Sequence, residues 1–334
     1  MRLPLPFAAP LAGVLLAVSG ISAAQQTVNV SYNVSDGSSW HQGAERFAEL
    51  VHTYSDGAYR VRLHPNAALA GGSDRVELEM TQSGAIQFLI KSTTWMTGLD
   101  PRFQALGLPW LFPDHDTANA VLDGPAGQVL LDDLVNRDLV GLAWGVNGFR
   151  QVTNSRGPIT EPADLSGMRI RVPGIEMYLD IFRALGAAPT TMNFAEVFTA
   201  LQTGAVDGQE NPLSLIWSSR FYDVQEHVSI WNYSYDALTF VSGAPFWNRL
   251  SEDDQAMFQR AAREAMDFQR EVVKQEDLDL GAALAEAGMT VTVLDEAQIA
   301  VFQEALQPVY ETYRERLGED FVALFEQGVA DAAQ

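Results

Sequence analysis

Arg150, Arg156, Arg169 and Arg171 place four guanidinium groups within 22 residues of a chain that has only 21 Lys and Arg against 43 Asp and Glu. Arginine presents a planar fork of N–H donors that grips a carboxylate at two points, so the cluster points to recognition of a small organic acid. Arg171 sits in the apolar run "IRVP" just before a turn, and Arg150 follows the turn signal "VNG". A period of two puts Arg169 and Arg171 on the same side of a straight strand, so the pattern leaves open which of them reaches a cleft. Asn211, in "DGQENP", can donate and accept at a strand end. Phe194 opens the helical stretch "FAEVFTAL" and is core or pocket wall; the same choice stands for Trp95, Trp144 and Trp217.

Other chemistry is missing. No Gly-rich phosphate loop, G-x-S-x-G or H-E-x-x-H occurs, and histidines 41, 52, 64, 115 and 227 lack metal-ligand spacing. His115, flanked by Asp114 and Asp116, reads as a solvated loop rather than a metal ligand. Glu77/Glu79 and Asp253/Asp254 read as solvated helix surfaces. Neither catalytic residues, nor a cofactor, nor a metal is expected. With no cysteine, disulfides and thiol chemistry are excluded. The net charge of −22 argues against nucleic acid and anionic membrane surfaces as partners.

The elements that must position these residues follow from periodicity. Residues 1–24, with Arg2, an apolar run and small residues at Ser22 and Ala24, read as a secretory signal peptide, which predicts an exported mature chain of 310 residues. "TVNVSYNV" (27–34) alternates as a strand, "SWHQGAERFAELVHTYSDG" follows with helical spacing, and "YRVRLHP" (59–65) reads as the next strand. This β-α-β succession predicts a mostly parallel sheet covered by helices. "RVRLHP" resembles "RIRVP" (169–173), and "QSGAIQF" (82–88) resembles "QTGAVDG" (202–208). Either helix–Gly–strand joints recur by chance, or two related lobes face each other with strands ending at Ser92 and Asn211. Ligands bind beyond the carboxyl ends of strands in open α/β sheets. Residues 251–288 read as one long helix capped by Ser251, packing through Met257, Phe258, Ala261, Ala265, Met266 and Phe268, and either breaking near Gly281 or bridging two lobes. A further helical region spans roughly 295–331.

"RQVTNSRGPITEPADLSGMRIRVP", "LGAAPTTMNFAEVFTALQTGAVDGQENPL" and "FYDVQEHVSIWNYSYD" together resemble the solute-binding subunit of TRAP (tripartite ATP-independent periplasmic) transporters, the DctP-like family. The resemblance implies an α/β, two-lobed periplasmic binding protein (type II-like) with a long hinge-spanning helix. It implies lobe I from 25–147 plus 237–276 and lobe II from 148–236 plus 277–334. It further implies a periplasmic protein that closes on an organic acid and presents it to small and large membrane subunits. By the same resemblance Arg171 grips the ligand carboxylate, Arg150 is a second arginine used by some members, and Asn211 and Phe194 complete the wall. Asn33 and Asp74, in "GGSDR", fall where relatives contact polar ligand groups. Where the sialic-acid members carry a glutamate, this chain has Ser92 preceded by Lys91, which argues against sialic acid. The hydroxyl-binding capacity of Asn33, Asp74, Ser92 and Asn211 favours a sugar acid such as a uronate or aldonate, with a C4-dicarboxylate as the alternative. A periplasmic organic-acid enzyme would need a general base that the sequence does not display; a ligand-presenting sensory protein is the other rival. A monomer is expected, with the apolar stripe of 251–288 leaving a dimer open.

Overall fold

The computed structural model describes residues 25–333, so the expected signal peptide lies outside the described residues. Strand β1 (Gln26–Ser31) passes through helix α1 (Ser39–Tyr54) to a parallel β2 (Tyr59–His64). Helix α2 (Asp74–Gln82) leads to β3 (Phe88–Ser92), and the long β4 covers Leu139–Asn154. The second half of the sheet is built from β5 (Ile170–Val172), β6 (Thr190–Thr191), β7 (Gly208–Pro212) and β8 (His227–Ile230). β9 (Tyr235–Gly243) returns to the first half, and β10 (Thr290–Val293) pairs with β8. The strand order is β2-β1-β3-β9-β4-β7-β5-β6, with β8 also on β4. The expectation of a mostly parallel sheet holds at each end, but the middle is antiparallel, because β4 and β9 return across the molecule.

β4 joins the two halves. Leu139–Phe149 pairs with β9, and Arg150–Asn154 pairs with β7. The exchange of partners follows a register shift between Val146 and Gly148, where Gly148 takes a φ of +125° that a side chain would strain. The chain therefore bends where it delivers Arg150. The two look-alike segments become β2/β5 and β3/β7. In the second pair each strand is preceded by a helix closed by a left-handed glycine, Gly84 and Gly204.

The helix Glu252–Glu286 is continuous through Gly281 and spans three core clusters. Its Ser251 cap accepts from the Asp254 N–H at 3.1 Å. Phe258, Ala261, Ala265 and Met266 pack into the cluster that contains Phe47, Phe88 and Phe240. Val273 enters the central cluster, and Leu280 and Leu284 enter the third. Phe268 departs from the expected packing face and is 43% exposed, at the stripe's edge beside Arg46 and Gln42 of α1. The C-terminal region divides into helices Glu296–Leu317 and Glu319–Ala332 at Gly318 (φ +96°).

Two polar readings change. Glu77 is fully buried rather than on a solvated surface. His115 begins the helix His115–Asp123, with its Nε2 2.7 Å from Asp277 Oδ2 and its ring edge-on to Phe149 and Tyr235, so it is not a loop histidine.

Candidate functional site

Adjacent strands converge on one buried space. Arg150 lies opposite Pro212 in the β4–β7 register, Gln151 lies opposite Asn211, and Arg171 on β5 lies beside Gln209 on β7. From the other half comes Ser92 at the end of β3, and Asp236 lies at the start of β9, where the chain begins its return to that half. Arg150, Arg171, Asn211, Ser92 and Asp236 all line a cavity of about 20 Å³. A second space of about 180 Å³ shares Asn33 and Phe194 with the first and adds Asp74, Phe198 and Phe221.

The two cavity arginines have opposite electrostatic situations. Arg150 is held by Glu210 through Nε and through Nη2 at 2.8 Å, and by Asp236 at 2.6 Å from Nη1. Its Nη2 also approaches Asn211 Oδ1 at 3.3 Å, and its guanidinium lies 5.2 Å from the Tyr178 ring centroid. Burial alone would lower its pKa, but Glu210 and Asp236 hold it well above the ordinary value. Arg150 is thus a residue of the cavity wall whose charge is already matched by protein carboxylates.

Arg171 is 2% exposed and has no carboxylate within ion-pair distance among the described residues. Its Nε and Nη2 donate to the Met192 carbonyl at 3.2 and 2.8 Å. Burial pushes its pKa down to about 10, against the pull of Glu210 and with the repulsion of Arg150. A desolvated guanidinium bound only to a neutral carbonyl, on a cavity wall, is arranged to receive an anion. Arg156 and Arg169 do not reach this space; both pair with Asp207, at 2.8 and 2.7 Å. That settles the alternative that strand period left open.

Asp74 and Ser92 both line the candidate space and both bind other groups of the protein. Lys91, completely buried, pairs with Asp74 at 2.5 Å and Glu77 at 2.6 Å. Asp74 also accepts from Asn33 Nδ2 at 2.5 Å on the same Oδ1 that meets Lys91. Ser92 caps a short helix by accepting from the Thr94 N–H at 3.1 Å and donates to Asp236 at 2.7 Å. By contrast, Asn33 Oδ1 is buried without a hydrogen-bond partner. Asn211 donates to Gln209 Oε1 at 2.5 Å through one hydrogen of its Nδ2. Phe194 is half-buried, bridges both spaces and lies 6.1 Å from the Phe221 ring. Trp95 lines the cavity, Trp144 is core, and Trp217 is exposed against Tyr222 at 5.0 Å.

Sequence reasoning missed Glu210, Asp236 and the pairing of Lys91. Asp236 interrupts the apolar strand "YDALTFVSG", and Glu210 interrupts the wholly buried β7. A lone acid in a buried strand demands a cation, and that signal was legible. Asp236 accepts from Ser92, from Thr93 at 3.1 Å, from Asn147 at 2.7 Å and from Arg150. Trp40 donates to Asn147 at 3.0 Å, tying α1 to the same network.

Among the described residues, no group of three or more His, Cys, Asp or Glu could hold a metal ion, and no helix is long and apolar enough to cross a membrane.

A sequence model of the bacterial extracellular solute-binding protein family 7 matches residues 30–316. A solute-binding protein of Verminephrobacter eiseniae is 37% identical over 300 residues, covering 89% of this chain and 88% of its own length. The C4-dicarboxylate-binding periplasmic protein DctP of Rhodobacter capsulatus is 33% identical over 292 residues, covering 87% of each chain. The crystal structure of the sugar acid binding protein DctPAm of Advenella mimigardefordensis, in complex with galactonate, superposes with a TM-score of 0.89 at 34% identity, covering 92% of this chain and 98% of that one. Family match, relatives and two-lobed architecture agree: the chain belongs to the DctP family, the family 7 solute-binding proteins of TRAP transporters.

Proposed function

We propose that this solute-binding protein captures a hydroxylated organic acid of sugar-acid size, an aldonate or uronate, in the periplasm and presents it to small and large TRAP membrane subunits as a monomer. The observation that carries the ligand assignment is Arg171, a buried guanidinium on the cavity wall with no carboxylate within ion-pair distance among the described residues. In this reading the ligand carboxylate takes the two-point grip of Arg171, worth about 1.5–3 kcal/mol for a charge-assisted pair. A ligand hydroxyl donates to Asn33 Oδ1, whose hydrogen-bonding capacity is otherwise unmet. The C–H face of the ligand lies against Phe194, and its tail extends towards Phe198 and Phe221.

The inner cavity of about 20 Å³ holds roughly one water. An acid of this size is admitted when the lobes part, and we assign the moving bodies as 25–147 plus 237–276 and 148–236 plus 277–334. Contacts between these bodies are slight at the cleft mouth: Ser35 Oγ reaches the Ser218 carbonyl at 3.5 Å, and a Cβ added to Gly72 would meet Ala195 Cβ at 4.0 Å. Contacts of this kind at the mouth are in keeping with hinge closure around a ligand. No catalytic role is assigned, because the carboxylates that line the two spaces are ion-paired, Asp236 with Arg150 and Asp74 with Lys91. The solved relative in complex with galactonate favours a sugar acid, and the R. capsulatus relative keeps a C4-dicarboxylate as the second reading.

Thermal unfolding of the mature protein against galactonate, glucuronate, erythronate, malate and succinate tests this. A ligand at a thousand times its dissociation constant stabilises by about 4 kcal/mol, several degrees in Tm at roughly 2–4 °C per kcal/mol. The expected result is such a rise with a sugar acid and its loss in Arg171→Ala. Equal shifts in both proteins would remove Arg171 from ligand binding.

A further inference from the structure

We infer that Asp236 and Glu210 restrict the site to ligands carrying one carboxylate, by neutralising Arg150 and leaving Arg171 as the single unmatched cation among the described cavity residues. This rests on the reading that Arg171 holds the ligand carboxylate. The buried charges at and behind the cavity are Arg150, Arg171 and Lys91 against Glu210, Asp236, Asp74 and Glu77. Six of these seven take part in the Arg150 and Lys91 ion pairs, two carboxylates to each cation, and Arg171 is the seventh, so the set carries one net negative charge before any ligand arrives. One carboxylate finds its counter-charge in Arg171. A second finds none, and it enters a desolvated space already walled by Asp236.

Asp236 is the specificity-determining residue in this arrangement. Its oxygens are filled by Ser92, Thr93, Asn147 and Arg150, so it offers a ligand almost no hydrogen bond while contributing a like charge to any second carboxylate. A neutral hydroxymethyl end is not repelled. Repulsion of the wrong ligand is as effective a source of selectivity as attraction of the right one. Arg150, which by residue type looks like a second carboxylate grip, is the group that these two acids remove from service.

Calorimetric titration separates the possibilities with two matched pairs, galactonate against galactarate and malamate (the monoamide) against malate. Each pair keeps its carbon skeleton and differs by one carboxylate. Wild-type protein is expected to prefer the monoanion of whichever pair binds by at least ~10-fold, the order of a like-charge penalty in a partly screened interior. Asp236→Asn is expected to bring that ratio towards unity, with Glu210→Gln taking its place if the first variant does not fold. Equal or tighter binding of the dianion by wild type would overturn the charge limit while leaving Arg171 in place. An unchanged ratio in folded Asp236→Asn would remove the role from that residue. Absence of binding by all four acids to folded protein contradicts the Arg171 reading itself, and the charge limit falls with it.

Discussion

Two arginines of one cavity, on strands that flank β7, are expected to fail in opposite ways. Arg150→Ala strands Glu210 and Asp236 in a buried site, and breaking such a pair costs about 3–5 kcal/mol. The ligand-free protein should therefore lose stability in denaturant titration, whatever happens to binding. Arg171→Met removes a desolvated charge that no carboxylate among the described residues pairs with directly, so its ligand-free stability should be unchanged or higher while acid binding disappears. A large loss of stability in Arg171→Met would mark that arginine as structural. Ligand affinity in the wild type should also fall as pH rises through about 10, where Arg171 loses its proton. That distinction between the arginines was not legible in the sequence. Residue type and a period of two identified Arg150, Arg169 and Arg171 as candidates, but which ones meet a carboxylate depends on Glu210, Asp236 and Asp207, which arrive from 38 to 86 residues away.

At the scale of elements, periodicity was a good guide to where α1, β2 and the long helix lie, because each repeats its apolar face over several turns or pleats. It failed for polar residues inside elements. Glu77 on α2 reads as surface until β3 brings Lys91 underneath it. Lys91→Met should leave Asp74 and Glu77 buried without a cation and destabilise the protein by about 3–5 kcal/mol, measured in urea. The helix Glu252–Glu286 carries its own titration. Burial, then the neighbouring Asp277, pushes Glu276 up to about 7, and its Oε2 has no partner. A raised carboxyl pKa contributes stability that is full below the unfolded value and is lost as pH climbs through the folded one. The stability difference between wild type and Glu276→Gln should therefore shrink by about 1–2 kcal/mol between pH 4.5 and 8, after allowance for the group's partial exposure. A difference independent of pH would show that Glu276 is not held protonated by its surroundings.

For the molecule as a whole, the two lobes are joined by strands β4 and β9 and braced by one unbroken helix, while the cleft mouth is held by few contacts. Small-angle scattering should show the mature protein contract when a saturating sugar acid is added, with no contraction in Arg171→Met. The acidic surface, net −22 for the full sequence, leaves the cavity arginine as a local attraction in a field that otherwise repels anions. Composition made that contrast visible, and the repeated helix–Gly–strand joints made the facing strand ends at Ser92 and Asn211 visible. The continuous β4 crossing was not visible, since its bend depends on one glycine conformation and a change of partner. The most direct measurement is a crystal structure of the mature protein grown with the sugar acid that stabilises it most. The expected result is a ligand carboxylate in a two-point grip on Arg171 with a hydroxyl on Asn33 Oδ1; a carboxylate seated away from Arg171 would contradict the account.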